Sequence, residues 1–154
     1  MDQPSALRKM VHDLARCRFV AVDTESNSLY AYQEQVCLIQ FSTGDQDYLV
    51  DPLAIRDLSS LEPLFSSPHI EKIFHAAEYD IICLKRDFGF SFANIFDTML
   101  AGRILKFDQI GLAAMLETEY GIVLDKRFQR ANWAERPLSE EQKAYARLDT
   151  HYLI

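Results

Sequence analysis

Two acidic residues, Asp23 and Glu25, end a run of apolar and β-branched residues that is typical of a buried strand. Because side chains alternate along a strand, both carboxylates point from the same face. Carboxylates this close repel each other, and a hard cation such as Mg2+ or Mn2+ between them would remove the repulsion. The alternative is that Asp23 caps the next turn while Glu25 reaches solvent, and a lone Asp-x-Glu favours that alternative.

Two further acidic residues could join this pair. Asp80 lies in the first turns of a predicted helix that follows a short strand, at the sheet edge where α/β proteins bind ligands. Tyr145 and Asp149 are four residues apart on a predicted last helix and share an otherwise apolar face. An Asp on such a face needs a partner, which shared metal ions would supply. Alone, a buried Tyr beside a solvated Asp is the more frequent arrangement.

The elements that would position these residues follow two patterns along the chain. The first part predicts an amphipathic helix and then strands joined by short connections, which makes the strands antiparallel neighbours: helix 4–16 and strands 19–25, 36–42 and 47–50. In the second part of the chain, predicted helices alternate with short strands. The helices are 57–66, 77–88, 98–106, 110–119 and one starting at Ser139, and the strands are 71–75 and 94–96. The expected fold is α/β, a mixed sheet of three antiparallel strands and then parallel crossovers, with helices on both faces.

Composition limits the class of protein. A length of 154 residues with 49% hydrophobic and 25% charged residues indicates one globular domain. The net charge of -7 repels anions, so a nucleic acid would have to be bound through local cations. Cysteines occur singly, which predicts reduced thiols in an intracellular protein: Cys17, Cys37 and Cys83. Neither a signal peptide nor a membrane-length apolar stretch is present, so we expect a soluble, cytoplasmic protein without a membrane partner.

Three blocks of residues occur in an order that resembles a known family. They are Asp23-Thr24-Glu25 with 35–40, the block 75–80 with Asp97-Thr98, and 145–149. Together they resemble the exonuclease domain of the ribonuclease D group within the DEDDy 3′–5′ exonucleases, which have a ribonuclease H-like fold. Residues 136–142, after Trp133, are similar to a stretch typical of ribonuclease D relatives. Several blocks in order are far more specific than a single motif.

The resemblance implies a metal-dependent 3′–5′ exonuclease that shortens single-stranded nucleic acid, RNA rather than DNA, and releases nucleoside 5′-monophosphates. It implies two divalent ions, Mg2+ or Mn2+, held by four residues: Asp23, Glu25, Asp80 and Asp149. Asp23 would bridge both ions, and Tyr145 would orient the attacking water. Two alternatives stay open, a DNA substrate and a catalytically silent interaction module on the same scaffold.

Substrate contacts are expected from six further residues: Ser26, Leu29, His75, Arg127, Arg130 and Trp133. Leu29 is either a wedge against the terminal base or a plain core leucine. The two arginines, with Lys126, could follow the backbone of a single strand, or they could form an ordinary solvated loop. Trp133 is either a stacking platform or a core residue.

The roles of two other residues depend on their neighbours. We expect His75 to be a hydrogen-bonded histidine at a strand end rather than a metal ligand, because hard ions prefer oxygen. Asp97 either caps the helix that it precedes or supports the metal site from behind.

Two features depart from the family pattern. Position 76 is Ala, where many DEDD exonucleases have Asn. The pattern still predicts helix at Ile154, and family members usually continue into further helix and often a helical RNA-binding domain. We therefore expect residues 1–154 to be the exonuclease domain alone, without its C-terminal helical extension.

Overall fold

The computed structural model describes all 154 residues and contains one five-stranded sheet. Its strands are β1 (Phe19–Ser26), β2 (Val36–Ser42), β3 (Asp47–Val50), β4 (Glu71–Phe74) and β5 (Ile95–Asp97). The spatial order is β3-β2-β1-β4-β5. β1, β2 and β3 are antiparallel, whereas β4 is parallel to both β1 and β5. The mixed sheet expected from the sequence is therefore confirmed.

Six helices surround this sheet: α1 (Pro4–Leu14), α2 (Glu62–Ser66), α3 (Glu78–Phe88), α4 (Thr98–Ile104), α5 (Leu112–Tyr120) and α6 (Glu140–His151). The predicted helix 57–66 is only partly correct, because a 3-10 turn at Ser59–Leu61 precedes α2. Pro63 lacks the N–H that would bond back into that turn, so the α-helix begins only beside it. α6 ends at His151, so the expectation of helix continuing at Ile154 is wrong.

The two faces of the sheet bury different partners. On one face α1, α2 and α3 pack over the even-numbered apolar residues of β1, Val20 and Val22, in the larger core cluster. Alternation along β1 directs Asp23 and Glu25 to the opposite face. There α6 and the irregular segment 128–138 cover the sheet through a smaller cluster: Cys37, Leu38, Trp133, Leu138 and Ala146. The acidic pair therefore faces α6.

α6 is capped at its start and attached to β3 near its end. At its start the Ser139 hydroxyl accepts a hydrogen bond from the N–H of Gln142, and the Gln142 side chain accepts one from the N–H of Ser139. This capping box confirms the sequence prediction. Further along, the Asp47 carboxylate of β3 contacts Arg147 at 3.2 Å and His151 at 3.1 Å. The Asp47 pairs therefore attach the C-terminal half of α6, which carries Asp149, to β3.

The segment that leads into α6 is attached to the sheet by one arginine. The Arg136 guanidinium donates to both carboxylate oxygens of Asp51 and to the main-chain carbonyls of Cys37 and Trp133. A bidentate pair with a carboxylate gives geometric definition as well as energy. An irregular segment can therefore form one wall of the site without a helix or strand of its own.

Two predictions from composition can be compared with the structure. All three cysteines are free thiols, of which Cys37 and Cys83 are buried and Cys17 is half-buried. No helix combines the length and the apolar character that crossing a bilayer requires.

Candidate active site

Three carboxylates meet between β1 and α6. Asp23 and Glu25 project from β1, Asp149 projects from α6, and one oxygen of each lies within 4.8 Å of the others. Asp23 pairs with Gln40 of β2 in the strand ladder, so it does not cap a turn. Glu25 lies half-buried in the same cluster. The arrangement that was less favoured for an isolated Asp-x-Glu is therefore the one that the fold adopts.

Asp80 lies beside this cluster on the first turn of α3. Its side chain is only 7% exposed, and it accepts a hydrogen bond from the hydroxyl of Thr24. Thr24 stands between the two acidic residues of β1, so this bond ties the start of α3 to the strand that carries them. Asp80 is also close enough to Asp23 for its charge to raise the pKa of Asp23, so all four acidic residues predicted from the sequence lie at one place, with Asp80 next to the group of three.

Burial and mutual repulsion strongly disfavour the ionised form of these groups. Burial, followed by the nearby carboxylates, raises the pKa of Glu25 to about 9 and that of Asp149 to about 7. Burial raises the pKa of Asp80 to about 6, although its bond from Thr24 acts in the other direction. The pKa of Asp23 is raised well above its usual value by burial and then by Asp80, Asp149 and Glu25.

No basic side chain offsets this repulsion, since none of the ion pairs in the chain includes any of the four residues. The cluster offers oxygen donors alone, with no thiolate or imidazole among them. Hard divalent ions such as Mg2+ and Mn2+ prefer this donor set. The residues present therefore fit the metal ions implied by the family resemblance.

Tyr145 lies one helical turn before Asp149 and shares its face of α6. Its ring packs against Phe128 and Trp133, with ring centroids 5.9 and 6.0 Å away. Burial, followed by the charges of Asp149, Glu25 and Asp23, raises the pKa of the phenol. Tyr145 is therefore a protonated hydroxyl at neutral pH, suited to orienting a hydrogen-bonded molecule and not to removing a proton.

His75 follows β4, and a threonine fixes its tautomer. The Thr98 hydroxyl donates its only hydrogen to the carbonyl of Phe74 at 3.1 Å, so it accepts from Nδ1–H of His75 at 2.9 Å. Burial lowers the pKa of His75, which favours the neutral ring and leaves Nε2 as an acceptor. The prediction of a hydrogen-bonded histidine is confirmed. With Tyr145 and Asp149, His75 lines a cavity of about 450 Å3.

Trp133 is not available for stacking on a base. Its side chain is 1% exposed and belongs to the cluster beneath α6, so the stacking interpretation is wrong and the core interpretation is right. The opposite holds for Leu29, which is 67% exposed and is not a core leucine. Its loop is fixed by the Tyr30 hydroxyl, which donates to the carbonyl of Arg130. A wedge role for Leu29 remains a prediction.

The other expected substrate contacts lie around the site. Ser26 ends β1, and its hydroxyl accepts a hydrogen bond from the N–H of Ser28. Arg127 is exposed but already paired with Asp125 at 2.5 Å. Arg130 is exposed, and Lys126 lines the cavity together with His75 and Tyr145. The predicted basic loop therefore lies beside the acidic cluster, with one of its charges partly neutralised.

Sequence reasoning overlooked two residues that hold the acidic groups. Thr24 binds Asp80, as described above. Gln40 is fully buried, donates from Nε2 to Asp23 at 3.3 Å and leaves its Oε1 without a partner. A signal was available for Gln40, because a glutamine inside an otherwise apolar central strand needs a polar partner. Thr24 gave no such signal, since threonine is common in strands.

The fold and site agree with the comparison to known families. The sequence profile of the 3′–5′ exonuclease family matches residues 1–154. The chain belongs to this family, and its domain is of the ribonuclease D type with a ribonuclease H-like fold.

Individual relatives refine this assignment. Protein RRP6-like 3 of Arabidopsis thaliana is 44% identical over 100% of this chain, which spans only 17% of that protein. The catalytic core of RRP6 from Trypanosoma brucei superposes with a TM-score of 0.94 at 38% identity, covering 99% of this chain and 43% of the other. RNase D of Escherichia coli is described as an exoribonuclease involved in structured RNA processing. It superposes with a TM-score of 0.90 at 33% identity, covering 99% of this chain and 41% of RNase D.

Proposed function

We propose that this chain is a metal-dependent 3′–5′ exoribonuclease domain. It would remove nucleotides from the 3′ end of single-stranded RNA and release nucleoside 5′-monophosphates. The observation that carries the proposal is the meeting of Asp23, Glu25 and Asp149 within 4.8 Å, without any basic partner. A chain that only bound nucleic acid would gain nothing from such costly, mutually repelling charges.

The four carboxylates divide into two groups by position. Asp23, Glu25 and Asp149 would hold one divalent ion, and Asp80, which stands beside them, would hold a second ion together with Asp23. When bound, two such ions activate a water and stabilise the charge that develops on the phosphate and on the leaving oxygen. We propose Mg2+ or Mn2+ because both bind oxygen ligands.

The remaining residues would position the reactants. A phenol's ordinary pKa is already high for a base, so the Tyr145 hydroxyl would hold the attacking water in place rather than deprotonate it. Nε2 of His75 can accept a hydrogen bond from the substrate, because Thr98 occupies the other ring nitrogen. Leu29 and Ser26 lie on the segment that follows Glu25, where the terminal nucleotide would bind.

The upstream strand would pass the basic loop. Lys126, Arg127 and Arg130 offer cations to the phosphates in a protein whose overall charge is negative. RNA is preferred to DNA as the substrate because RNase D of Escherichia coli, a structural relative, is described as an exoribonuclease. A cytoplasmic location remains a prediction, which imaging of the tagged protein in its own cells would test.

The direct test uses a single-stranded RNA labelled at its 5′ end and a DNA of the same sequence. Each is incubated with the protein in Mg2+, in Mn2+ or in chelator. We expect a ladder of products that shortens from the 3′ end, requires metal and forms faster on RNA.

Asp23→Ala is the control, because its loss removes a ligand from both proposed ions. A ladder that persists in this variant would indicate a contaminating nuclease. A folded wild-type protein that binds the RNA without shortening it in either metal would favour the silent interaction module. Equal rates of shortening on the RNA and the DNA would overturn only the proposed preference for RNA.

A further inference from the structure

The carboxylate of Asp97 accepts four main-chain hydrogen bonds. Its Oδ1 accepts from the N–H groups of Ala76, Met99 and Leu100 at 3.1, 2.9 and 3.1 Å, and its Oδ2 accepts from that of Ala77 at 2.9 Å. A carboxylate that accepts several main-chain N–H groups forms stronger bonds than a neutral acceptor. Few side chains in this molecule are held so completely.

The four donors belong to two separate elements. Met99 and Leu100 lie in the first turn of α4, for which Asp97 is the N-cap. Ala76 and Ala77 lie in the connection between β4 and α3. Asp97 reaches that connection because it pairs with Phe74 in the parallel ladder between β4 and β5. A helix cap requires only the bonds from Met99 and Leu100, so the bonds from Ala76 and Ala77 need a separate explanation.

The bonds from Ala76 and Ala77 hold a connection that lies between two residues of the proposed site. His75 immediately precedes it, and Asp80 follows Ala77 by three residues in the first turn of α3. Ala76 has φ of +61°, in the left-handed region that is unfavourable for a non-glycine residue. The connection therefore needs outside support to keep this shape, and Asp97 supplies it.

We propose that Asp97 is a positioning residue that sets the β4–α3 connection and thereby places Asp80 and His75 in the site. This inference rests on the proposed function, because it assigns Asp97 a part in metal binding and turnover. Asp97 makes no hydrogen bond to the carboxylate cluster, although its charge also acts on Asp80 and His75. Its hydrogen bonds act through the main chain, by fixing where α3 begins.

Two substitutions separate the positioning role from the helix cap. Asp97→Ser keeps a good N-cap for α4, but its single short hydroxyl cannot also bind Ala76 and Ala77. Asp97→Asn keeps the shape but replaces one acceptor oxygen with an amide NH2, which cannot accept the bond from the N–H of Ala77. We expect the Mn2+ dissociation constant, measured by calorimetry without RNA, to rise about 10-fold or more in both. We also expect kcat to fall about 100-fold, with little change in KM.

The matched control is Asp57→Ser. Asp57 accepts the N–H of Ser59 at 2.9 Å, at a helical turn that carries no residue of the site. This variant loses a similar acceptor, so it should retain the Mn2+ affinity and kcat of the wild type. If Asp97→Asn does not fold, Asp97→Ser decides the test, because its helix cap remains.

The outcomes distinguish this inference from the proposed function. If the wild type binds Mn2+ and cleaves RNA, and both Asp97 variants do so equally well with only a lower Tm, Asp97 is a helix cap and the inference is overturned. If the wild type neither binds Mn2+ nor cleaves RNA, the proposed function fails, and the inference with it. Weakened Mn2+ binding in both Asp97 variants, with Asp57→Ser unchanged, supports the positioning role.

Discussion

Asp149 lies on α6 among carboxylates, with no basic side chain paired to it, and its pKa is raised to about 7 by burial and then by Asp80. Above that pH its charge destabilises the metal-free fold. We predict that Asp149→Asn abolishes RNA hydrolysis and stabilises the metal-free protein at pH 8. The gain should be roughly 2 to 4 kcal/mol, since a rise of about three pKa units corresponds to at most about 4 kcal/mol.

Urea denaturation in chelator, alongside the 5′-labelled RNA assay, checks both parts of this prediction. Near-normal hydrolysis by Asp149→Asn would remove the residue from the proposed site. A loss of stability would show that its carboxylate forms favourable contacts in the metal-free protein, contrary to the raised pKa.

The hydroxyl of Tyr145 can be removed without disturbing its ring. The ring packs on Phe128 and Trp133, and phenylalanine keeps those contacts. We predict that Tyr145→Phe lowers kcat about 100-fold, because the attacking water loses the bond that orients it. Mn2+ affinity measured by calorimetry should not change, because the phenol is not a proposed ligand. A weakened Mn2+ isotherm would contradict the positioning role.

Individual residues differ in how much the sequence reveals about them. The acidic residues could be assigned because each lies at the end of a predicted strand, at the start of a predicted helix or on the apolar face of one. Their order along the chain also matches a family pattern. Trp133 could not be assigned in this way, because a tryptophan beside arginines suits both a stacking surface and a core. Its burial depends on α6 closing over segment 128–138, which is a long-range contact.

At the scale of elements, the attachment of α6 to β3 determines where Asp149 lies. The Asp47 side chain is 6% exposed and pairs with Arg147 and His151. We predict that Asp47→Asn destabilises the fold by about 1 to 3 kcal/mol, because charge-assisted bonds are lost at a nearly buried position. Activity should fall more steeply than stability, since α6 carries two residues of the site.

Urea denaturation and the RNA assay, both at 25 °C, test this prediction. The matched control is Asp45→Asn, an exposed acidic residue in the preceding turn, which should change the free energy of unfolding by less than about 0.5 kcal/mol. If the Asp47 variant loses stability but retains full activity, the attachment does not govern the site.

The elements themselves were largely predictable. β1 and β2 follow from apolar, β-branched runs, and β3, β4 and β5 follow from shorter apolar stretches between turn residues. The capping box at Ser139 locates the start of α6. The region 57–66 was harder, because its leucines fit a helical period while Pro63 prevents one continuous α-helix. The end of α6 at His151 has no stop signal in the sequence, so local patterns alone predicted further helix there.

At the scale of the whole molecule, the carboxylate cluster should make stability depend on pH. The folded protein holds protons on Asp80, Asp149 and Glu25 up to about pH 6, 7 and 9, whereas an unfolded chain releases them near pH 4. Between about pH 4 and pH 9 the folded state therefore binds more protons than the unfolded chain, so the stability of the fold decreases as pH rises. We predict that Tm in chelator declines steadily from about pH 4 to pH 9.

Divalent metal should flatten this decline, because a bound cation replaces the protons and favours the ionised carboxylates. The stabilisation by Mg2+ or Mn2+ should therefore grow with pH. Thermal melts at each pH, with chelator and with saturating Mg2+, measure both effects. A Tm in chelator that rose between pH 5 and pH 9 would contradict the raised pKa values.

The topology was predictable because short connections force β1, β2 and β3 to be antiparallel neighbours, and helical crossovers make the next strands parallel. The meeting of the acidic residues was predictable, because the carboxyl ends of neighbouring parallel strands lie at the same edge of the sheet. The cap formed by Asp97 was one of two roles predicted for it, whereas the bond from Thr24 to Asp80 and the bonds from Ala76 and Ala77 to Asp97 depend on register across the sheet and were not predictable.

Trp133 is the only tryptophan in the chain, and it lies buried against the ring of Tyr145. Light absorbed at the red edge of the aromatic band excites this one indole, which is 6.0 Å from the phenol proposed to orient water. Its fluorescence therefore monitors the contact between α6 and segment 128–138 without any added label. The emission should be blue-shifted in the native protein and should shift to the red whenever α6 lifts away.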